Sequence, residues 1–309
     1  MARTVAETIR DTTREHLENK RGKLFGQCVT AVGWVGGTIP EMTEEEGIVE
    51  LALSDSSNPG MAVGAALAGT RPIYVIRYQG FLWYNAPTLV NYAAKSKEMW
   101  GVPCPVFIRA IAMEGGIGPV ATSAEYSMVM RKPGMPVFAP MTPGEWTDVW
   151  NYYMEHDDPV FCSEHRKSFG IDNNILEYSL KPENPDITLF GISAGRLSIA
   201  EALFDLQEDH KIACDTFPIV QLKPFKIKDE YIESLQKTGL GLIVDSDNEI
   251  AGASTYLAHQ LMLSSGVPVH VLGVKDRTAG FAPHLDNGTP TADDVYDEIV
   301  CLVAEKNIV

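Results

Sequence analysis

The sequence predicts an α/β fold made of two parallel-sheet domains, and three observations carry this reading. Short apolar runs alternate with amphipathic stretches of helical period through most of the 309 residues. Many of the runs open on proline, which suits a strand's first residue because its missing N–H is not yet needed there. A polar, proline-containing stretch, Tyr178–Asp186 (YSLKPENPD), then interrupts the alternation and reads as a linker. The chain therefore divides into residues 1–180 and 186–309.

In the first half, strands are expected at Leu24–Thr30, Pro72–Tyr78, Pro105–Ala112, Pro136–Pro140 and Pro159–Glu164. Helices are expected at Pro59–Ala68, Asn85–Met99 and Pro143–His156. The last has a start signal: Thr142 as N-cap, Pro143 in the first turn and Glu145 to complete a capping box. In the second half, strands are expected at Ile187–Ile192, Ile212–Val220, Leu240–Asp245 and Pro268–Val274. Helices are expected at Arg196–Glu208, Asp229–Lys237 and Ile250–Leu263, with another from about Ala292. In that final helix Val295, Ile299, Leu302 and Val303 share one face, and Thr291 can cap it.

Composition narrows the function classes. Hydrophobic residues make up 45% and charged residues 21%, enough to bury a large core. The net charge of −16 leaves no basic stripe to neutralise phosphates, which argues against nucleic acid as a partner. Cys28, Cys104, Cys162, Cys214 and Cys301 show no C-x-x-C pair, so buried reduced thiols are expected. The opening MARTVAETIRDTTREHLENK lacks the apolar core of a signal peptide, and no apolar run reaches membrane-spanning length. A soluble cytoplasmic enzyme is the expectation.

Several motifs compete with blander readings. GISAG (Gly191–Gly195) satisfies G-x-S-x-G, with His259, His270 or His284 as a conceivable base. Small residues that let a strand turn tightly into a helix explain it more simply. GGIGP (Gly115–Pro119) completes no dinucleotide or Walker fingerprint and reads as a loop at a strand's end. His156, Asp157 and Asp158 look metal-like, yet polar turn residues are expected before Pro159. Glu44–Glu46 is a solvated face. Tyr78, Phe81, Trp83 and Tyr84 follow a strand directly, so stacking on a flat heterocycle competes evenly with core packing.

Three stretches together resemble a known family. SDSSNPGMAVGAALAGTRPIYVIRYQGF (Ser54–Phe81), LVNYAAKSKEMWGVPCPVFIRA (Leu89–Ala110) and KPGMPVFAPMTPGEWTDVW…DDPVFCSEH (Lys132–His165) look like consecutive segments of one kind of chain. That kind is the beta subunit of the thiamine diphosphate-dependent, decarboxylating component of 2-oxo acid dehydrogenase complexes. GISAG, the KTG of Lys237–Gly239 and PTADDVYDEI near the end extend the resemblance through almost the whole chain. It implies a transketolase-like pyrimidine-binding domain followed by a transketolase C-terminal-like domain. Such enzymes hold the cofactor's diphosphate through Mg2+ with a G-D-G motif, which this chain lacks. The resemblance therefore implies an alpha-type partner carrying Mg2+ and diphosphate, in an α2β2 heterotetramer, with thiamine diphosphate shared between the chains.

In this family a carboxylate of the beta chain hydrogen-bonds N1′ of the aminopyrimidine and favours the imino tautomer that deprotonates C2. Aligning GAALAG places Asp55 where the family has glutamate. The 26 residues from Asp55 to Phe81 match the family's interval from this acid to the aromatic that stacks on the pyrimidine. Tyr78 joins Phe81 as a candidate cofactor contact. The family's histidine falls on Ala121, and the acid after the first strand's glycine is replaced by Gln27. Asp55 as activating acid in C–C bond cleavage or formation, on a 2-oxo acid or ketose-like substrate, is the leading expectation. The altered positions point toward non-oxidative decarboxylation or carboligation. The alternatives are a non-catalytic scaffold or regulatory subunit and half of a split transketolase.

Overall fold

The computed structural model describes residues 2–114, 124–177, 179–306 and 308. GGIGP and Ala121 therefore lie outside the described residues. The first part of the chain runs α1 (Val5–Glu18), β1 (Leu24–Gln27), α2 (Ala31–Gly37), β2 (Ile48–Leu51), α3 (Asn58–Leu67) and β3 (Ile73–Ile76). It continues with α4 (Leu82–Asn91), α5 (Ser96–Trp100), β4 (Phe107–Ala112), α6 (Ser127–Met130), β5 (Val137–Phe138), α7 (Pro143–Glu155) and β6 (Val160–His165). Residues 179–186 form no helix or strand. Then follow β7 (Ile187–Ile192), α8 (Gly195–His210), β8 (Cys214–Ile219), β9 (Gln221–Lys223), α9 (Asp229–Thr238), β10 (Gly241–Asn248), α10 (Ala253–Ser265), β11 (Val269–Val274) and α11 (Ala292–Lys306).

Two sheets result. The larger has the order β2-β1-β3-β4-β6-β5-β9, parallel except for β9, which runs antiparallel to β5. The smaller has the order β11-β10-β7-β8 and is parallel throughout. Strands β3, β4, β6 and β7 are buried at every position, as parallel strands covered on both faces must be.

Some elements depart from expectation. The helix expected over Asn85–Met99 is broken at Tyr92, where a 3₁₀ turn (Ala93–Lys95) separates α4 from α5. Thr142 caps α7 as expected, but the Glu145 carboxylate accepts from the Met141 N–H and pairs with Arg196 instead of closing the box on Thr142. Thr291 and Asp294 do form reciprocal capping bonds at the start of α11. His156–Asp158 is no metal cluster: the Arg71 guanidinium donates to the carbonyls of Tyr153 and His156 at 2.7 and 2.8 Å and to Asp157 at 3.1 Å. Cys104, Cys162 and Cys214 are buried, whereas Cys28 is half-buried and Cys301 exposed. No described helix is long and apolar enough to cross a membrane.

Two buried polar groups stiffen the architecture. Between β4 and β6, Arg109 donates to both oxygens of Glu164 at 2.8–2.9 Å, and the Trp146 indole donates to the same carboxylate. Between the sheets, Tyr126 donates to Asp245, while the Ser127 N–H and hydroxyl donate to Asp247 at 2.8 and 2.5 Å. Burial, and next the charge of Asp245, push Asp247 up to about 7.

Removing one partner of the first pair strands a buried charge. Glu164→Ala should cost about 3–5 kcal/mol, and Arg109→Met combined with Glu164→Leu should recover part of it, read by urea unfolding. At the second site the folded chain holds the Asp247 proton to about pH 7, while the unfolded chain releases it near the ordinary carboxylate value. The folded chain thus binds more protons from about pH 4 to about pH 7, and this group's contribution to stability falls as pH rises through that window. Asp247→Asn should flatten the slope of unfolding free energy against pH there.

Candidate active site

Parallel strands deliver their carboxyl ends to one edge, where Gln27 at the end of β1 meets Asp55 and Phe81 from the segments beyond β2 and β3. Asp55 is half-buried in the turn between β2 and α3. Its Oδ1 accepts from the Gln27 side-chain amide at 2.8 Å and from the Asn85 side-chain amide at 2.9 Å. Gln27 is held in turn, its Oε1 accepting from the Ser54 N–H and from Asn58, both at 3.1 Å. Oδ2 of Asp55 makes no hydrogen bond among the described residues, so one carboxylate oxygen remains available as an acceptor.

Asn85 brings the candidates together. The same Nδ2 that donates to Asp55 also donates to the Phe81 carbonyl at 2.9 Å. Behind it, the buried Tyr74 hydroxyl donates to Asn85 Oδ1 at 2.5 Å. Burial and the Asp55 charge raise the Tyr74 hydroxyl above its ordinary value. The Tyr78 and Phe81 rings are 6.0 Å apart at 52°, both half-buried, and the Arg77 guanidinium lies 5.4 Å over the Tyr78 ring. The aromatic cluster thus splits: Phe81 packs on the core's rim, while Trp83 and Tyr84 project outward.

Further residues at this edge escaped sequence reasoning. Gln79, buried just beyond β3, donates to Ala110 O at 2.9 Å and Ser163 Oγ at 2.6 Å and accepts from the Glu125 N–H. It joins the ends of β3, β4 and β6. Glu114, after β4, takes the Lys167 ammonium at 2.6 Å, faces His165 Nε2 at 3.4 Å and accepts the Thr289 N–H. Burial alone would raise the Glu114 carboxyl, but His165, Lys167 and Thr289 hold it down at about 2. No spacing rule finds Gln79 or Glu114. Asn85 had a signal, a polar side chain one helical turn after Phe81 at a position the helix buries.

A carboxylate with one free oxygen and a half-buried ring beside it fit the aminopyrimidine half of thiamine diphosphate. Among the described residues no three His, Cys, Asp or Glu side chains converge to hold a metal ion. The hydrolase alternative fails on geometry. Ser193 sits at φ 51° in the GISAG turn, buried, and its hydroxyl finds no partner among the described residues. A nucleophile needs a base within hydrogen-bond reach.

The chain is similar to known proteins over nearly its whole length. The model of the family "Transketolase, pyrimidine binding domain" matches residues 13–170. The beta subunit of the pyruvate dehydrogenase E1 component from Rickettsia bellii is 26% identical, over 97% of this chain and 99% of its own. The beta subunit of acetoin:2,6-dichlorophenolindophenol oxidoreductase from Bacillus subtilis is 25% identical, over 89% of this chain and 86% of its own. A split-gene transketolase solved as an inactive beta4 tetramer superposes with a TM-score of 0.73 at 18% identity, covering 98% of this chain and 99% of that one. With a family match over half its length and whole-length likeness to E1 beta subunits, the chain belongs to the transketolase pyrimidine-binding-domain family, as a beta-type chain of the thiamine diphosphate-dependent enzymes.

Proposed function

We propose that this chain supplies the pyrimidine side of a thiamine diphosphate site completed by an alpha-type chain, in a cytoplasmic α2β2 enzyme. The enzyme makes or breaks a C–C bond next to the carbonyl of a 2-oxo acid or ketose-like substrate. The observation that carries this reading is the Asp55 carboxylate, pinned at Oδ1 by two amides and, among the described residues, open at Oδ2.

The cofactor, when bound, supplies a carbon nucleophile that adds to a carbonyl. Asp55 Oδ2 would hold the proton at ring nitrogen N1′ and Phe81 would pack against the ring, with Tyr78 beside Phe81. The diphosphate and Mg2+ fall to the partner, because this chain has no G-D-G motif. A second chain at this edge also accounts for apolar exposure around it. Leu53, two residues before Asp55, is 78% exposed, and Met61, Trp83 and Tyr84 on α3 and α4 are more than half exposed. An apolar cluster of this kind marks an interface. The names of the relatives favour oxidation of a 2-oxo acid or of acetoin over ketol transfer.

Two measurements test the reading. Calorimetric titration of the isolated chain with thiamine diphosphate and Mg2+ should show weak binding or none, becoming tight once an alpha-type chain is added. Tight binding by the chain alone would overturn the shared site. In the assembled complex, Asp55→Asn should slow exchange of the cofactor's C2 proton by about 10²–10⁴-fold with affinity largely kept. Exchange at the unmodified rate would make the chain a scaffold.

A further inference from the structure

We infer that Asn85, held by Tyr74, is the positioning residue that aims Asp55 at the cofactor. The inference rests on the reading of Asp55 given above. An aspartate is one methylene shorter than the glutamate it replaces, so its reach depends on how its carboxylate is oriented. Left to itself, an aspartate at the mouth of a turn rotates about χ1 and χ2 and presents either oxygen. Here two N–H donors from different elements meet on one oxygen. Gln27 comes from the end of β1, Asn85 from the first turns of α4, and both reach Oδ1 within 2.9 Å. Satisfying both restricts the carboxylate's rotation and leaves Oδ2 as the oxygen without a donor among the described residues.

Asn85 is itself oriented by its surroundings. Its side chain is 1% exposed. Nδ2 faces two acceptors, Asp55 Oδ1 and the Phe81 carbonyl, and Oδ1 faces the Tyr74 hydroxyl. A flipped amide would set its oxygen against a carboxylate and a carbonyl, so the network allows one orientation only. The Tyr74 hydroxyl reinforces that choice from β3, inside the sheet. Asn85 also ties the acid to the aromatic, since one amide nitrogen holds both Asp55 and the backbone of Phe81. The acid and the ring that would contact one heterocycle are thereby set at a fixed separation.

The test uses the assembled complex and reads three quantities for each variant: unfolding midpoint, cofactor affinity by calorimetry, and the rate of C2-proton exchange. Asn85→Ala removes a hydrogen bond to a charged group and should slow exchange on the order of 10- to 100-fold, with affinity changed less than about threefold. Tyr74→Phe removes the donor that braces the Asn85 amide from β3 and should give a smaller fall in the same direction. It keeps the test informative if Asn85→Ala does not fold. Asp55→Glu should be slow on its own, because the longer side chain meets Asn85. In the Asp55→Glu, Asn85→Ala double variant the vacated space should accept the extra methylene, and exchange should recover above either single variant. Unchanged exchange in Asn85→Ala, or a loss tracked wholly by affinity, would overturn the inference while leaving the role of Asp55 standing, provided Asp55→Asn still slows exchange as expected above. If Asp55→Asn exchanges normally, the reading beneath the inference has failed instead.

Discussion

The constraint on which this molecule depends is that a parallel strand has no local partner. Each must be reached by a crossover, and each ends on the same edge as its neighbours. In the larger sheet this brings residues 27, 55 and 81 together although separate crossovers supply them. The candidate site therefore needs no long loop. It is made of the last residue of β1 and of residues in the short segments that follow β2 and β3, and its precision comes from strands that are hydrogen-bonded along their length.

The replacements at this edge make sense as a set. The resemblance places acids at 27 and 55. Two carboxylates within 2.8 Å of each other would have to share a proton. With Gln27 in place, the same contact becomes donation from an amide to Asp55, and the Gln27 oxygen is used up by Ser54 and Asn58. The candidate site as it stands holds a single acid in a set of satisfied hydrogen bonds.

Much of the architecture was legible because period and punctuation agree. Ile187–Ile192 is a strand as read, and Val295, Ile299, Leu302 and Val303 are the buried stripe of α11. What was missed had weak local signals. α1 lies in a charged stretch whose buried stripe includes Thr8, Thr13 and His16 beside Val5, Ile9 and Leu17. β2 is four residues behind an acidic turn, yet it leads directly to Asp55. At the candidate site, family resemblance singles out Asp55 and Phe81, and the structure ties both to one Asn85 amide. Tyr74 carries no such signal, because it matters only through a hydrogen bond from β3 to the Asn85 side chain on α4, and no periodicity encodes that.

The larger sheet borrows its last strand. β9 follows β8 of the smaller sheet, then crosses back to pair with β5. The Thr289 N–H likewise returns to Glu114, and Asp245 and Asp247 to Tyr126 and Ser127. A chain cut near residue 180 would leave Val137 and Phe138 at a bare sheet edge, a template for pairing with other molecules. During synthesis the same edge waits until residue 223 has emerged. The two halves are thus separable on paper but interdependent in folding: the N-terminal half is shielded from aggregation by residues made after it.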